Sequence, residues 1–581
     1  MKILLTAVNA KYIHSNPAVY CLRAAVPEYR EQIAIAEFTI NNHTDDILKS
    51  IYKSKPDVLC LSCYIWNLTY LEEIIREFHK LCPKVPIWMG GPEVSYEVSA
   101  FLENHPEVTG VMIGEGEATF KELCSYWMGQ MPSSLETIKG IAYRCEETGK
   151  ATINPPREVI NMSDIPFCYD RAEDFSNRII YYESSRGCPF SCSYCLSSVD
   201  KKLRFRDLSL VKEELGFFIG QKVPQVKFVD RTFNCNHEHA MEIWRYIKEQ
   251  DNGVTNFHFE ISADLINEEE LELISDMRPG LIQLEIGVQS TNEATIHEIH
   301  RTMKLERLKA VVNKVKSFGN IHQHLDLIAG LPFEDYNTFQ TSFDEVYALR
   351  PDQLQLGFLK VLKGSYMYAH AKEYGILYHN NPPYEVLSTN WLSFDDVLKL
   401  KKVEEMVEVY YNSHQFDMGI KVLETCFTSP FELYQKLGDF YEEKAYDKMS
   451  HSRIRRCEIL LEFAETLAED VVDILREALI FDLYSRENCK SRPSWAVDMG
   501  NFKYMTHHYC KNGKLSHVEP FYYNFMEMQE GYFKEAGAGN GLPEKQITPV
   551  WVLFSYEKRN PLTYCADIKA VEYVIPEGNT K

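Results

Sequence analysis

Residues 184–198 read SSRGCPFSCSYCLSS and set Cys188, Cys192 and Cys195 in the spacing C-x3-C-x2-C. Thiolates take soft metals, and a structural zinc site closes with four protein ligands. Three thiols within eight residues leave one position for a ligand from elsewhere. His237 or His239 could supply it, so spacing alone leaves a zinc site open. A four-iron cluster on three thiolates would instead keep one iron for an outside molecule.

The surrounding chain supplies a frame. The run IIYYES (179–184), just before the loop, is the first of six apolar runs. The others are VKFVD (226–230), FHFEIS (257–262), LIQLEIGVQ (281–289), QHLDLIAG (323–330) and QLQLGFLK (353–360). Patterns of helical period fill the gaps, which predicts parallel strands with helical crossovers. Six such units suit a partial (β/α)6 TIM-like barrel over 176–378, whose chemistry lies on loops after the strands. The cysteine trio sits after the first strand.

Residues 1–140 show the same alternation, with runs KILLTAV (2–8), IAIAEFT (33–39), DVLCLSCY (57–64), VPIWMGG (85–91) and GVMIG (110–114). This predicts an α/β, doubly wound (Rossmann-like) domain that binds ligands beyond its strand ends. Those ends carry Asn9, the stretch from Ser62 to Trp66, Gly90-Gly91 and Gly114-Glu115-Gly116-Glu117. Residues 141–175, with Asn154-Pro155-Pro156 and Ile165-Pro166, read as a linker. Residues 379–581 read as mostly helical. Ser393 to Asp396 looks like a capping box before VLKLKKVEEMVEVYY, and Arg453 to Arg486 keeps helical period. A loop-rich segment near 535–545 precedes a terminal strand, VWVLFSY (550–556).

A formal net charge of −22 argues against a general nucleic-acid binder, whose affinity rests on Lys and Arg. The 16 cysteines are scattered through a long chain and do not read as a disulfide framework. No run of about 20 apolar residues could cross a bilayer, and no signal peptide is apparent, so the cytoplasm is the expected compartment.

Arg186-Gly187-Cys188-x-x-x-Cys192-x-Tyr194-Cys195 resembles the cluster loop of the radical S-adenosylmethionine (SAM) superfamily, including the aromatic residue before the third cysteine. The resemblance implies a [4Fe-4S] cluster on Cys188, Cys192 and Cys195, whose open iron binds SAM and cleaves it to a 5′-deoxyadenosyl radical. It also implies SAM contacts from Asp230, Glu260, Gln289, Ser290 and the Ile328 loop. Asp230-Arg231-Thr232 departs from the family's Gly-Gly-Glu, which receives the SAM amino group. Arg204 and Arg206 could lie near the cluster or form surface salt bridges.

The first domain ahead of this barrel resembles the cobalamin-binding branch of the superfamily. The match rests on Ser62, Trp66, Gly90, Gly91 and Glu93, with Gly114 and Glu115. The branch's Asp-x-His-x-x-Gly cobalt-ligating motif is not kept, because the corresponding place reads Asn9-Ala10-Lys11-Tyr12-Ile13-His14. The resemblance therefore implies a displaced nucleotide tail and no histidine beneath the cobalt. The C-terminal region resembles an uncharacterised domain that accompanies this branch.

Together these features imply a cobalamin-dependent radical SAM enzyme, a methyltransferase using methylcobalamin on an unactivated carbon. A rearrangement or cyclisation, a vestigial first domain without cobalamin, and a non-catalytic Fe–S module are the alternatives. The implied partners are a small-molecule or peptide substrate and an electron donor such as flavodoxin or ferredoxin. A tRNA substrate stays open, because related enzymes modify tRNA. Tyr504, His507, His508 and Tyr509 could line a substrate site, with the C-terminal region covering the barrel mouth.

Overall fold

The computed structural model describes residues 1–130, 134–145, 148–169, 177–489, 491–496, 503–510, 515–530 and 544–574. The first unit is built on β1 (Ile3–Asn9), β2 (Ile33–Thr39), β3 (Val58–Ser62), β4 (Ile87–Gly90) and β5 (Gly110–Met112). These strands pair in parallel in the order β2-β1-β3-β4-β5.

Both faces of the sheet are buried, which is why its strands read as continuous apolar runs. Ile3, Leu5 and Ala7 point to one face, where Val19, Tyr20, Phe120 and Leu123 cover them from helices Pro17–Ala24 and Glu117–Trp127. Leu4 and Val8 point to the other, against Ile47, Ile51, Leu71 and Phe78 from helices Thr44–Ser54 and Leu68–Leu81. Each Ile, Leu, Val or Phe among them, fully buried, contributes roughly 1.5–3 kcal/mol.

The sheet continues beyond β5. Two short strands, β6 (Ile141–Arg144) and β7 (Ala151–Ile153), extend its edge antiparallel, so this part of 141–175 belongs to the first sheet and is not a linker. The strand order reverses between β1 and β3, the switch point at which doubly wound sheets bind ligands. Ser62 pairs in register with Ala7 on one side and Gly90 on the other, so these strand ends stand side by side.

Next come β8 (Ile180–Tyr182) and a small antiparallel pair, β9 (Ser185–Arg186) and β10 (Arg204–Phe205), which brackets the cysteine loop. β11 (Gln225–Phe228), β12 (Asn256–Ile261), β13 (Ile282–Gln289), β14 (His322–Ala329) and β15 (Gln353–Phe358) follow. With β8 they form one parallel sheet in sequential order, the expected open barrel.

Small strands β16 (Leu377–Tyr378) and β17 (Val386–Ser388) lead into the helical region. The Ser393 hydroxyl accepts from the Asp396 backbone N–H and opens helix Phe394–Val407. The run 453–486 is two helices, Arg453–Ala464 and Glu469–Arg486, not one. In place of a single terminal strand there is an antiparallel sheet of β18 (Ser516–Phe521), β19 (Val550–Arg559) and β20 (Ala566–Val571). Residues 535–543 of the expected loop-rich segment lie outside the described residues.

Candidate functional site between the first sheet and the barrel

A cavity of about 930 Å³ lies where the carboxyl ends of the first sheet face the start of the barrel. Asn9, Ser62, Trp66, Gly90, Gly91, Gly114 and Glu115 line it from one side, and Glu183, Gly187, Leu196, Arg231 and Glu260 from the other. No described residue after Glu260 lines it, so the C-terminal region does not roof this cavity. That region docks on the barrel's outer side, where Arg350 grips the Glu424 carboxylate with two hydrogen bonds of 2.6 Å each. Tyr504, His507, His508 and Tyr509 belong to helix Lys503–Tyr509, outside the cavity.

The backbone of the first domain shapes its wall. Gly91 has φ +119°, and a Cβ there would lie 2.3 Å from the Cys63 carbonyl oxygen, so only glycine lets the chain turn here. Ser62 Oγ accepts from Asn16 Nδ2 at 3.0 Å. Trp66 donates from Nε1 to the Val8 carbonyl at 3.0 Å and stacks on Tyr64 at 4.4 Å between ring centroids. His14 Nδ1 meets the Tyr181 hydroxyl at 2.5 Å, and burial lowers its pKa.

Two acidic residues of the first domain are already engaged elsewhere. Glu93 is buried and accepts from the Tyr384 hydroxyl at 2.9 Å, away from the cavity. Glu115 accepts from Arg204 Nη1 at 2.6 Å and, through its other oxygen, from the Ile160 N–H at 2.9 Å. Glu115 thus joins the first domain to the barrel. Arg206 is buried in a two-bond pair with Glu214 and donates to the Ile165 carbonyl, anchoring the segment between the two units.

On the barrel side, Cys188 and Cys192 are buried and Cys195 is half-buried. Gly187 has φ +90°, and a Cβ there would lie 2.7 Å from the Lys202 carbonyl oxygen, which makes it the tight turn into the loop. The Ser193 N–H donates to the Ile299 carbonyl at 2.9 Å, and its carbonyl accepts from the Met367 N–H at 2.8 Å. Thr232 Oγ1 lies 3.9 Å from Cys188 Sγ. Arg301 Nη1 lies 3.8 Å from Cys192 Sγ and 3.3 Å from the Tyr194 hydroxyl.

The two histidines that could have completed a zinc site are engaged elsewhere. His237 Nδ1 meets Glu270 at 2.9 Å, and His239 Nε2 meets Ser184 Oγ at 3.0 Å.

The strand-end residues divide sharply. Asp230 is buried and accepts from the Ser184 N–H (3.0 Å), Ser184 Oγ (2.6 Å) and Ser185 Oγ (2.6 Å). Its oxygens therefore fix the entry to the cysteine loop and do not face an ammonium in the cavity. Ser290 is likewise committed, giving its hydroxyl to Glu334 at 2.6 Å in a buried network. Glu260 lines the cavity, and burial, with help from Glu285, pushes its carboxyl up to about 7. Gln289 ends β13 at φ 72° beside a register shift. Its Oε1 is buried without a hydrogen-bond partner, as an acceptor awaiting a ligand donor would be. Ile328 and Tyr194 both pack against the buried cluster that includes Ile299, Leu331 and Leu359.

Arg301 escaped the sequence reading, because no local spacing ties position 301 to a loop at 188–195, and Thr232 enters it only as part of the Asp230-Arg231-Thr232 strand end. Family models agree with this layout. A B12-binding domain matches residues 3–124, the radical SAM superfamily 182–346, and a protein family of unknown function (DUF4080) 372–534. The chain is 26% identical over 371 residues to an uncharacterised methyltransferase of Pyrococcus horikoshii, covering 61% of this chain and 77% of that one. It is 25% identical over 307 residues to the cobalamin-dependent radical SAM methyltransferase TokK of Streptomyces tokunonensis, covering 49% of this chain and 44% of TokK. The structure of the cobalamin-dependent SAM radical enzyme OxsB, with aqua-cobalamin and SAM bound, superposes at TM-score 0.57 over 83% of each chain, at 16% identity. That likeness speaks for the fold. The chain therefore carries a radical SAM domain with a B12-binding domain ahead of it.

Proposed function

We propose that the protein is a cobalamin-dependent radical SAM methyltransferase acting on a small molecule or peptide. The observation that carries this reading is the shared cavity. Gly90, Gly91 and Gly114 of the B12-binding domain open onto one space with Gly187, Leu196 and Ser197, which flank the three cysteines of the barrel loop. When bound, the [4Fe-4S] cluster and SAM supply a 5′-deoxyadenosyl radical, and cobalamin supplies a methyl group for the substrate carbon.

On this reading Cys188, Cys192 and Cys195 hold the cluster. The Arg301 guanidinium, close to Cys192 Sγ, offsets the negative charge of the thiolates. Glu260 and the unpartnered Gln289 Oε1 receive the polar groups of SAM, and Ile328 and Tyr194 give its adenine an apolar wall. Ser62, Trp66, Gly90, Gly91 and Gly114 shape the corrinoid site. No residue of the chain is required as a general base at the hydrogen abstraction.

The electron comes from a flavodoxin- or ferredoxin-class donor, and the cytoplasm is the matching compartment. Among the described residues no helix is long and apolar enough to cross a membrane. The net charge of −22 favours a small molecule or peptide over tRNA.

The test is anaerobic expression with hydroxocobalamin, cluster reconstitution, and quantitation of corrinoid against iron. Near-stoichiometric corrinoid beside about four irons per chain, with SAM converted to both 5′-deoxyadenosine and S-adenosylhomocysteine, is expected. A loaded cluster with no corrinoid would sink the methyltransferase reading.

A further inference from the structure

Inward positions of a packed parallel barrel are dominated by Val, Ile and Leu. In this chain polar residues recur at every second position along part of three neighbouring strands. His258 and Glu260 alternate on β12, Gln283 and Glu285 on β13, and His322, His324 and Asp326 on β14. The register sets Glu285 beside His324, with Asp326 two residues further along β14.

One ligand atom from each of Glu285, His324 and Asp326 lies within 4.8 Å of the other two. Among the described residues this is the one group of three His, Cys, Asp or Glu side chains so placed. The His324 side chain is only 8% exposed, and its Nε2 faces Asp326 Oδ1 at 3.0 Å, with no other hydrogen-bond partner for either atom. Two ligand atoms about 2.1 Å from one ion and at right angles to each other stand about 3.0 Å apart.

Glu285 is held from one side. His258 Nε2 at 2.7 Å and Lys227 Nζ at 3.0 Å both meet its Oε2. Among the described residues, Oε1 accepts no hydrogen bond. A carboxylate oriented through one oxygen and open at the other is what outer partners of a metal ligand produce.

Charge points the same way. Three carboxyls, Glu260, Glu285 and Asp326, gather here, and among the described residues Lys227 is the only ammonium or guanidinium in hydrogen-bonding contact with them. A divalent cation would offset carboxylate charge at this place. A path exists, because Lys227 and Glu260 line the cavity and Glu285 and Asp326 keep 21% and 18% of their side-chain surface exposed.

We propose that Glu285, His324 and Asp326 form a site for a divalent first-row transition ion inside the barrel, distinct from the cysteine loop. One imidazole and two carboxylates suit zinc, iron(II) or manganese(II) better than a soft ion. Three protein ligands leave further positions for water or an oxygen donor.

The experiment is titration of the full chain, free of cluster and corrinoid, with manganese(II), followed by electron paramagnetic resonance. The expected result is one bound ion per chain, with nitrogen coupling in the pulsed spectrum. His324→Ala should abolish that coupling, and Asp326→Asn should weaken binding at least tenfold. No binding by the wild-type chain at millimolar manganese would overturn the site. So would nitrogen coupling that survives in His324→Ala. None of these readouts needs SAM or corrinoid, so failure of the methyltransferase reading would leave them unaffected.

Discussion

Arg186 Nη2 donates to Glu117 Oε1 at 2.5 Å, tying the second residue before Cys188 to the first turn of the helix that follows the Gly114-Glu115-Gly116 bend. The same guanidinium meets Glu183 through Nε at 2.8 Å. Burial by itself would raise the Glu117 carboxyl, and the Arg186 charge overrides it and holds the group below the usual carboxylate range. The two cofactor-binding units are therefore joined by a buried ion pair at the edge of their shared cavity.

Removing the cation alone should be costly. Arg186→Met leaves Glu117 and Glu183 without their partner, a loss of about 3–5 kcal/mol for a broken buried pair. Glu117→Gln keeps a hydrogen-bond acceptor and should cost less. Glu117 has a depressed folded pKa, so its contribution is full at neutral pH and fades only as pH falls through that lowered value. Thermal melts of wild type and Glu117→Gln should differ by a constant amount from pH 8 to about 5 and converge at lower pH. A difference that vanishes already near pH 6 would count against this assignment.

Glu260 behaves in the opposite sense. Its folded pKa, pushed up to about 7, means that ionisation is penalised in the native state. The penalty is absent below the unfolded carboxylate range and complete above about pH 7. Relative to Glu260→Gln, the wild-type chain should therefore lose thermal stability as pH rises from about 5 to 8. A flat difference across that interval would show that Glu260 is ionised throughout.

The two carboxylates also mark what can be read from sequence. Parallel strands buried on both faces announce themselves as continuous apolar runs, so β1 to β5 and the six barrel strands are legible. β6 and β7 are not, because three- and four-residue antiparallel edge strands carry too little pattern among prolines. The cysteine spacing is local and needs no partner to be recognised. Asp230 looks like a free acceptor in the sequence because its partners, Ser184 and Ser185, lie 45 or more residues away. Glu115 suggests a cofactor contact for the same reason, since its Arg204 is 89 residues distant. The alternating His, Glu and Asp of β12 to β14 are visible in FHFEIS and QHLDLIAG, but their meeting depends on register between strands.

The three loop cysteines should act as one unit. Alanine at Cys188, Cys192 or Cys195 should each reduce reconstituted iron from about four per chain to near zero and abolish SAM cleavage. Corrinoid loading should persist, because its wall comes from the first domain. Iron and corrinoid quantitation on the same samples checks both. Retention of a full cluster after loss of any one cysteine would remove that residue from the ligand set.

Gly91→Ala should give the reciprocal phenotype. The added Cβ would lie 2.3 Å from the Cys63 carbonyl oxygen, at a φ of +119° that L-residues rarely adopt. Backbone strain of this kind costs of order 1–3 kcal/mol, and relief requires the Gly90-Gly91 turn to move away from the end of β3. The turn is one wall of the cavity, so its displacement should lower corrinoid occupancy at least tenfold. The cysteine loop stands on the opposite side, on separate elements, and should still take up its iron. Melting temperature, corrinoid content and iron content of the variant, measured together, test the division of labour. Loss of iron in parallel with corrinoid would mean that the two walls are not independent, and unchanged corrinoid would mean that the turn does not contact it.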